Sequence, residues 1–198
     1  MYGWADLNCT AFDGDALIAT GALKEVIVAV KHVVDNNPKA RVLIFDDVNA
    51  AMVEVDLRGA IDDVVARLPK SDPTAPIADP APAGPGRPKL GVVAREVTLL
   101  PRHWEWLNEQ PGGASVALRK LVEDARRANA PRDAARKARD VTYRFLSALA
   151  GDLPGYEEAT RALFAGDRER FVTLMADWSA DVRDHALRLA AGSFGVAE

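Results

Sequence analysis

Cysteine is nearly absent: Cys9 is the one thiol among 198 residues. That excludes an intramolecular disulfide and a zinc site built on thiolates, and it fits a reducing compartment. Long apolar runs are missing as well. The longest, Val26-Ile27-Val28-Ala29-Val30, falls far short of the roughly 20 residues a membrane-spanning helix needs, so no membrane partner is expected. Met1 to Asp6 shows no basic region with an apolar stretch behind it. No secretory signal is therefore expected, and the cytoplasm is the expected address. The three histidines, His32, His103 and His185, stand apart from any nucleophile motif, and neither a Gly-x-Ser-x-Gly nor a Gly-rich phosphate loop occurs. No enzyme, catalytic residue or cofactor is expected. With 48 % apolar and 27 % charged residues, collagen and full disorder are excluded, and the chain can bury one ordinary core or two small ones.

Neither sign of charge dominates the whole, with 25 Lys and Arg against 29 Asp and Glu. The distribution is uneven. Residues 1–68 hold 6 basic against 11 acidic side chains, whereas 87–140 hold 12 against 7. Such asymmetry directs the search for an anionic partner to the middle of the chain.

Residues 1–68 read as a small α+β domain. Asp13-Gly14 lies between two apolar stretches and supplies the positive φ of a tight hairpin. Leu23, Val26, Ile27, Val30, Val33 and Val34 recur at helical spacing until Asn36-Asn37-Pro38 stops them. Arg41 to Phe45 and Met52 to Leu57 read as a second strand pair, and Gly59 opens a helix carrying Ile61, Val64, Val65 and Leu68. The predicted order is ββαββα, with helices on one face of a sheet. Carboxylates Asp13, Asp15, Asp46, Asp47, Glu54 and Asp56 crowd the turns; they could gather a hard cation, but no calcium-loop spacing occurs and Asp is ordinary in turns, so no metal is expected. Cys9, within a strand, reads as a buried inert thiol.

Between 69 and 88 prolines crowd among Ala, Asp, Gly and Ser, which marks an extended linker. Its end, Gly86-Arg87-Pro88-Lys89, resembles the core of an AT-hook, which implies minor-groove or backbone contacts from Arg87 and Lys89. Over 131–198 a helical bundle is predicted, with Pro131 at a helix start, Gly151 and Gly166 as stops, and Asp167 and Ser179 as caps. Arg126, Arg127, Arg132, Arg136, Lys137 and Arg139 make a basic stretch that reads either as a phosphate-tracking face or as a solvated surface paired with Asp133 and Asp140. Trp104, Trp106 and Trp178 read as core or interface anchors, and His185 as solvent-facing.

Within the segment 89–130, residues 92–127 carry a binding chemistry. Arg95 to Leu100 reads as a strand, Pro101 begins a helix through Trp104 and Leu107, Pro111-Gly112-Gly113-Ala114 turns, and Ser115 caps a helix with Leu118, Leu121, Val122 and Ala125 inward. Thr98-Leu99-Leu100-Pro101, Trp104-Glu105-Trp106-Leu107 and Ser115 to Glu123 make the segment similar to ribbon–helix–helix DNA-binding domains of the Arc and MetJ type. The resemblance implies a homodimer paired through the strand, with Val97, Thr98, Leu99, Leu100, Trp104 and Leu118 at the interface. It also implies Arg95 in the major groove of double-stranded DNA and a phosphate at the second helix's N-terminus, met by Gly113, Ser115 and Val116. Alternation leaves two registers open. If Leu100 is buried, Arg95, Val97 and Leu99 face outward; if Val97 and Leu99 are buried, Glu96 faces the phosphates.

Across its length the chain also resembles the bacterial family known as domain of unknown function 2239, through Phe12-Asp13-Gly14, Leu43 to Asp47, Asp56-Leu57-Arg58-Gly59, Gly86 to Leu107, Trp178 and Asp181 to His185. The expected fold is α+β: a ββαββα domain, a Pro/Ala-rich linker, a ribbon–helix–helix-like segment and a C-terminal bundle. The expected function is a homodimeric bacterial DNA-binding protein, such as a transcriptional regulator, with Arg126, Arg127, Arg132 and Arg136 adding salt-sensitive affinity. The alternative is a non-enzymatic dimeric scaffold whose ribbon serves only assembly.

Overall fold

A computed structural model describes residues 7–68, 93 and 95–194; Arg87 and Lys89 lie outside them. Gly14 takes φ +59° and folds β1 (Asn8–Asp13) back against β2 (Ala16–Ala22) as an antiparallel hairpin. The main-chain N–H of Arg41 donates to Asp13 Oδ1 at 2.8 Å beside this turn. β3 (Val42–Asp46) pairs antiparallel with the other edge of β1, so the strand order is β2-β1-β3. α1 (Leu23–Asn36) connects β2 to β3 and ends where Asn37, before Pro38, turns extended at φ −133°.

Because β1 is central, its alternation feeds two cores. Cys9 and Ala11 pack with Leu23, Val26, Ile27 and Val30 of α1, Ile44, and Val64 of α2 (Ile61–Arg67). Phe12 on the opposite face joins Phe45 and the C-terminal helices, chiefly Phe145, Leu146, Leu163, Phe171, Met175 and Val182. Helices therefore cover both faces of the sheet, which corrects the expectation of one: both side-chain sets of β1 are apolar enough to be buried.

The fourth strand predicted at Met52 to Leu57 does not form a ladder. Met52 makes a single bridge to Phe45, and the Val53 N–H donates to Ile44 O at 2.8 Å. Val53, Val55 and Leu57 still alternate inward onto the first core. Beyond Val55 local bonds replace pairing: Arg58 caps the Asp56 carboxylate through Nε at 2.8 Å and Nη2 at 2.9 Å, and Arg67 donates to Asp56 O at 3.0 Å. The Arg58 hydrogen bond, the largest influence, holds the Asp56 carboxyl well below the usual carboxylate range.

Among the described residues five more helices follow: α3 (Pro101–Glu109), α4 (Gly113–Leu149), α5 (Tyr156–Ala165), α6 (Arg168–Leu174) and α7 (Ala180–Ala190). Gly166 closes α5 at φ +72°, and the side chains of Asp167 and Ser179 accept from Arg170 N and Val182 N at the starts of α6 and α7. Pro131 does not begin a helix as predicted but lies inside α4. A proline deprives only one carbonyl of its donor, and the good helix formers on both sides carry the helix through. The chain divides into two compact units, one of Met1–Pro73 with Arg132–Glu198, the other of Thr74–Pro131.

In the first unit Trp178 is buried and its indole N–H donates to Pro154 O at 2.9 Å. His185, predicted to face solvent, is instead buried, 5.4 Å from the Phe12 ring and 4.6 Å from that of Phe145. Its polar neighbours in sequence, Arg183 and Asp184, flank it on the helix while the ring points into the second core. Among the described residues no helix is long and apolar enough to cross a membrane.

Candidate nucleic-acid interface

The second unit is built by one proline and two glycines. Pro101 pre-sets φ for the first turn of α3 and keeps Leu100 extended at ψ 150°. Ahead of it, Arg95 to Leu100 has no strand partner among the described residues, so the predicted strand forms no ladder there. α3 ends at Gln110, whose Nε2 donates to Trp106 O at 3.0 Å. Gly112 and Gly113 then take φ +88° and +73°. A side chain at Gly112 would stand 3.1 Å from Val116 Cβ, so the turn needs glycine for its backbone angle and for the close approach of α4.

α4 starts at Gly113, two residues before the cap expected at Ser115. Ser115 is thus inside the first turn, where its carbonyl accepts from Arg119 Nε at 3.1 Å. Near this end helix geometry leaves main-chain N–H groups without intrahelical acceptors, and the helix dipole favours an anion there. Gly113, Ser115 and Val116 all lie in this turn.

Only Leu107 and Ala117 are buried among the apolar residues of the described part of this unit. Leu99, Val116 and Leu118 are half-buried. Val97 (52 %), Trp106 (49 %) and Val122 (65 %) are exposed, as are Leu100, Trp104 and Leu121. The inward placement predicted for Leu121, Val122 and Ala125 fails among the described residues, because a nine-residue α3 is too short to cover them. A trough of about 170 Å³ lies between Trp106, Gln110, Pro111, Ala117, Lys120 and Leu121.

The basic side chains divide. Arg95 and Arg102 are exposed and, among the described residues, outside any ion pair. Arg126 and Arg127 share Glu123, at 2.9 Å and 3.3 Å; the Arg126 hydrogen bond, first among the causes, holds the Glu123 carboxyl below its ordinary range. The sequence reading missed Glu123, although its i,i+3 and i,i+4 spacing was the signal. In the first unit Arg132 is exposed and Arg136 pairs with Asp133 at 2.8 Å, while Arg139 turns inward to donate to Ser193 O at 3.3 Å. The basic stretch is therefore partly a paired, solvated surface.

The acidic cluster of the first unit serves its turns. Asp46 Oδ1 accepts from Val48 N at 2.7 Å, and Asp47 Oδ1 accepts from the buried Thr10 hydroxyl at 2.7 Å. Burial lifts the Asp47 carboxyl above its ordinary range against that bond. Burial also pushes the Cys9 thiol up to about 12, with Asp47 and Asp46 adding to the shift; such a thiol is unreactive. No curated protein and no solved structure matches the chain. A family model described as an uncharacterized protein conserved in bacteria, DUF2239, matches residues 8–190, nearly the whole length that these two units occupy, and the chain belongs to that family.

Proposed function

We propose that residues 95–122 pair with a second copy as a ribbon–helix–helix and that the homodimer binds double-stranded DNA in the bacterial cytoplasm, as a non-enzymatic regulator of transcription. The observation that carries this reading is the unfinished state of the second unit. A segment without a strand partner among the described residues precedes α3 and the first turns of α4, and over residues 95–122 only Leu107 and Ala117 are buried, leaving six large apolar side chains exposed. Pairing two segments about a twofold axis gives the backbone its partners and covers the apolar side chains on the helix-facing side of the ribbon, Leu100 among them. Arg95 then lies beside the ribbon, and the first turn of α4 offers N–H donors to a phosphate. Arg87 and Lys89, ahead of the ribbon, add backbone or minor-groove contacts in this reading.

A second reading, a dimer that serves only assembly, is favoured by the engagement of Arg126 and Arg127 with Glu123 and by the apolar character of Val97 and Leu99. Fluorescence anisotropy with a mixed-sequence duplex separates the two. DNA binding predicts affinity falling with salt at a log–log slope of about −3 or steeper, since each neutralised phosphate contributes about −0.9. A dimer that shows no binding at low salt rejects the DNA reading and leaves assembly; a monomer rejects both.

A further inference from the structure

The first unit carries a concave surface that the ribbon does not use. A trough of about 650 Å³ runs between the 50–52 loop and the outer face of α4, lined by Ala50, Met52, Asp140, Tyr143, Arg144 and Ser147, with Ala148 at its end. Met52 is 60 % exposed at one wall. Tyr143 is exposed too, its ring 5.6 Å from that of the exposed Phe164. Arg144 is anchored by donation to Asn49 O, which turns it from Asp140 although i,i+4 spacing would let them pair. Among the described residues neither Asp140 nor Arg144 forms an ion pair. An apolar trough is thus flanked by the carboxylate of Asp140 and the anchored guanidinium of Arg144 along a single helix face.

We propose that this face is an isologous interface with a second copy of the chain. Charge order selects that occupant. When two copies of α4 meet antiparallel about a twofold axis near residue 142, Asp140 of each lies opposite Arg144 of the other, so one self-complementary patch forms both ion pairs. Tyr143 falls beside the axis, where its ring and Met52 cover one another's exposed carbon. The interface is independent of the ribbon, and together the two would give an assembly larger than a dimer.

A charge-swap cycle in the full chain tests it, read by sedimentation equilibrium with and without Leu100→Asp to remove ribbon pairing. Asp140→Arg and Arg144→Asp each place like charges opposite at two symmetric positions, and each is expected to weaken association about tenfold or more. The double variant restores the pairs with reversed sign and is expected to return affinity to within about threefold of the parent. Tyr143→Cys is expected to form an intermolecular disulfide on mild oxidation, because the one native thiol, Cys9, is buried. Association indifferent to both single swaps, or unrestored by the double, overturns the proposal and leaves the trough to another occupant, as does failure of Tyr143→Cys to cross-link. A swap cycle that behaves as expected while Leu100→Asp leaves association unchanged rejects the proposed function alone.

Discussion

The His185 ring lies 4.6 Å from that of Phe145 and 5.4 Å from that of Phe12, joining α7 to α4 and to the central strand through one titratable side chain. Burial, followed by the Arg188 charge beside it, lowers its pKa from 6.5 to about 4, and Arg188 Nη2 contacts His185 Nδ1. The folded chain therefore holds the ring neutral.

Acid should loosen this core. Between pH 6.5 and about 4 the unfolded state binds the proton that the folded ring refuses, so stability falls as pH falls through that window. The full shift corresponds to a loss on the order of 3 kcal/mol. Asp47, lifted above its ordinary range, acts in the opposite sense, so the informative comparison is between the wild type and His185→Leu. Urea melts at pH 7 and 4.5 are expected to show a smaller acid loss in the variant; equal losses would refute the assignment.

Helix caps give a graded comparison. Asp167 and Ser179 accept from Arg170 N and Val182 N, so Asp167→Ala and Ser179→Ala should each cost about 1 kcal/mol in chemical denaturation. Ser115→Ala should change stability by less than about 0.5 kcal/mol, because α4 starts at Gly113 and Ser115 is not its cap. A Ser115→Ala penalty as large as the other two would place the cap where the sequence suggested.

Gly112 and Gly113 should not be equivalent. Both have positive φ, but only at Gly112 would a Cβ meet Val116, at 3.1 Å. Each alanine costs about 1–2 kcal/mol for the left-handed backbone, and Gly112→Ala adds a clash. Hydrogen exchange across α3 and the start of α4 is expected to rise more for Gly112→Ala than for Gly113→Ala, and Val116→Ala, which removes the two Cγ atoms at 3.2 Å but keeps Cβ, should relieve part of the difference. Equal exchange in both single variants would remove the steric part of the account.

Local chemistry was legible where it is decided locally. The hairpin at Gly14, the caps Asp167 and Ser179, and the stop at Gly166 each depend on a few neighbouring residues, and they stand where the residue types place them. Val53, Val55 and Leu57 show the limit: alternation foretold which side chains turn inward, yet past the Val53 N–H bond to Ile44 O the chain runs into a turn held by Arg58 and Arg67 in place of a ladder. His185 was misread because its burial comes from Phe12 and Phe145, distant in sequence, while its own helix surrounds it with charge. In the candidate interface, spacing marked Leu118, Leu121 and Val122 as an apolar set. Whether such a set faces inward depends on what covers it, and the described residues supply no cover for Leu121 and Val122.

In the proposed dimer the register of the ribbon decides what Val97 and Leu100 do, and both are exposed in the chain by itself. If Leu100 turns onto the paired helices, as the resemblance implies, Leu100→Asp buries two unpaired carboxylates about the twofold axis and should weaken the dimer at least about tenfold, since an uncompensated buried charge costs several kcal/mol. Val97 then points outward beside Arg95. Val97→Arg should keep the dimer and supply the donor that the apolar outer face lacks, raising affinity for duplex DNA and steepening its salt dependence. Sedimentation velocity and anisotropy measure the two effects separately. The reverse pattern, with Val97→Arg dissociating the dimer and Leu100→Asp leaving it whole, would turn Glu96 toward the phosphates and count against DNA as the ligand.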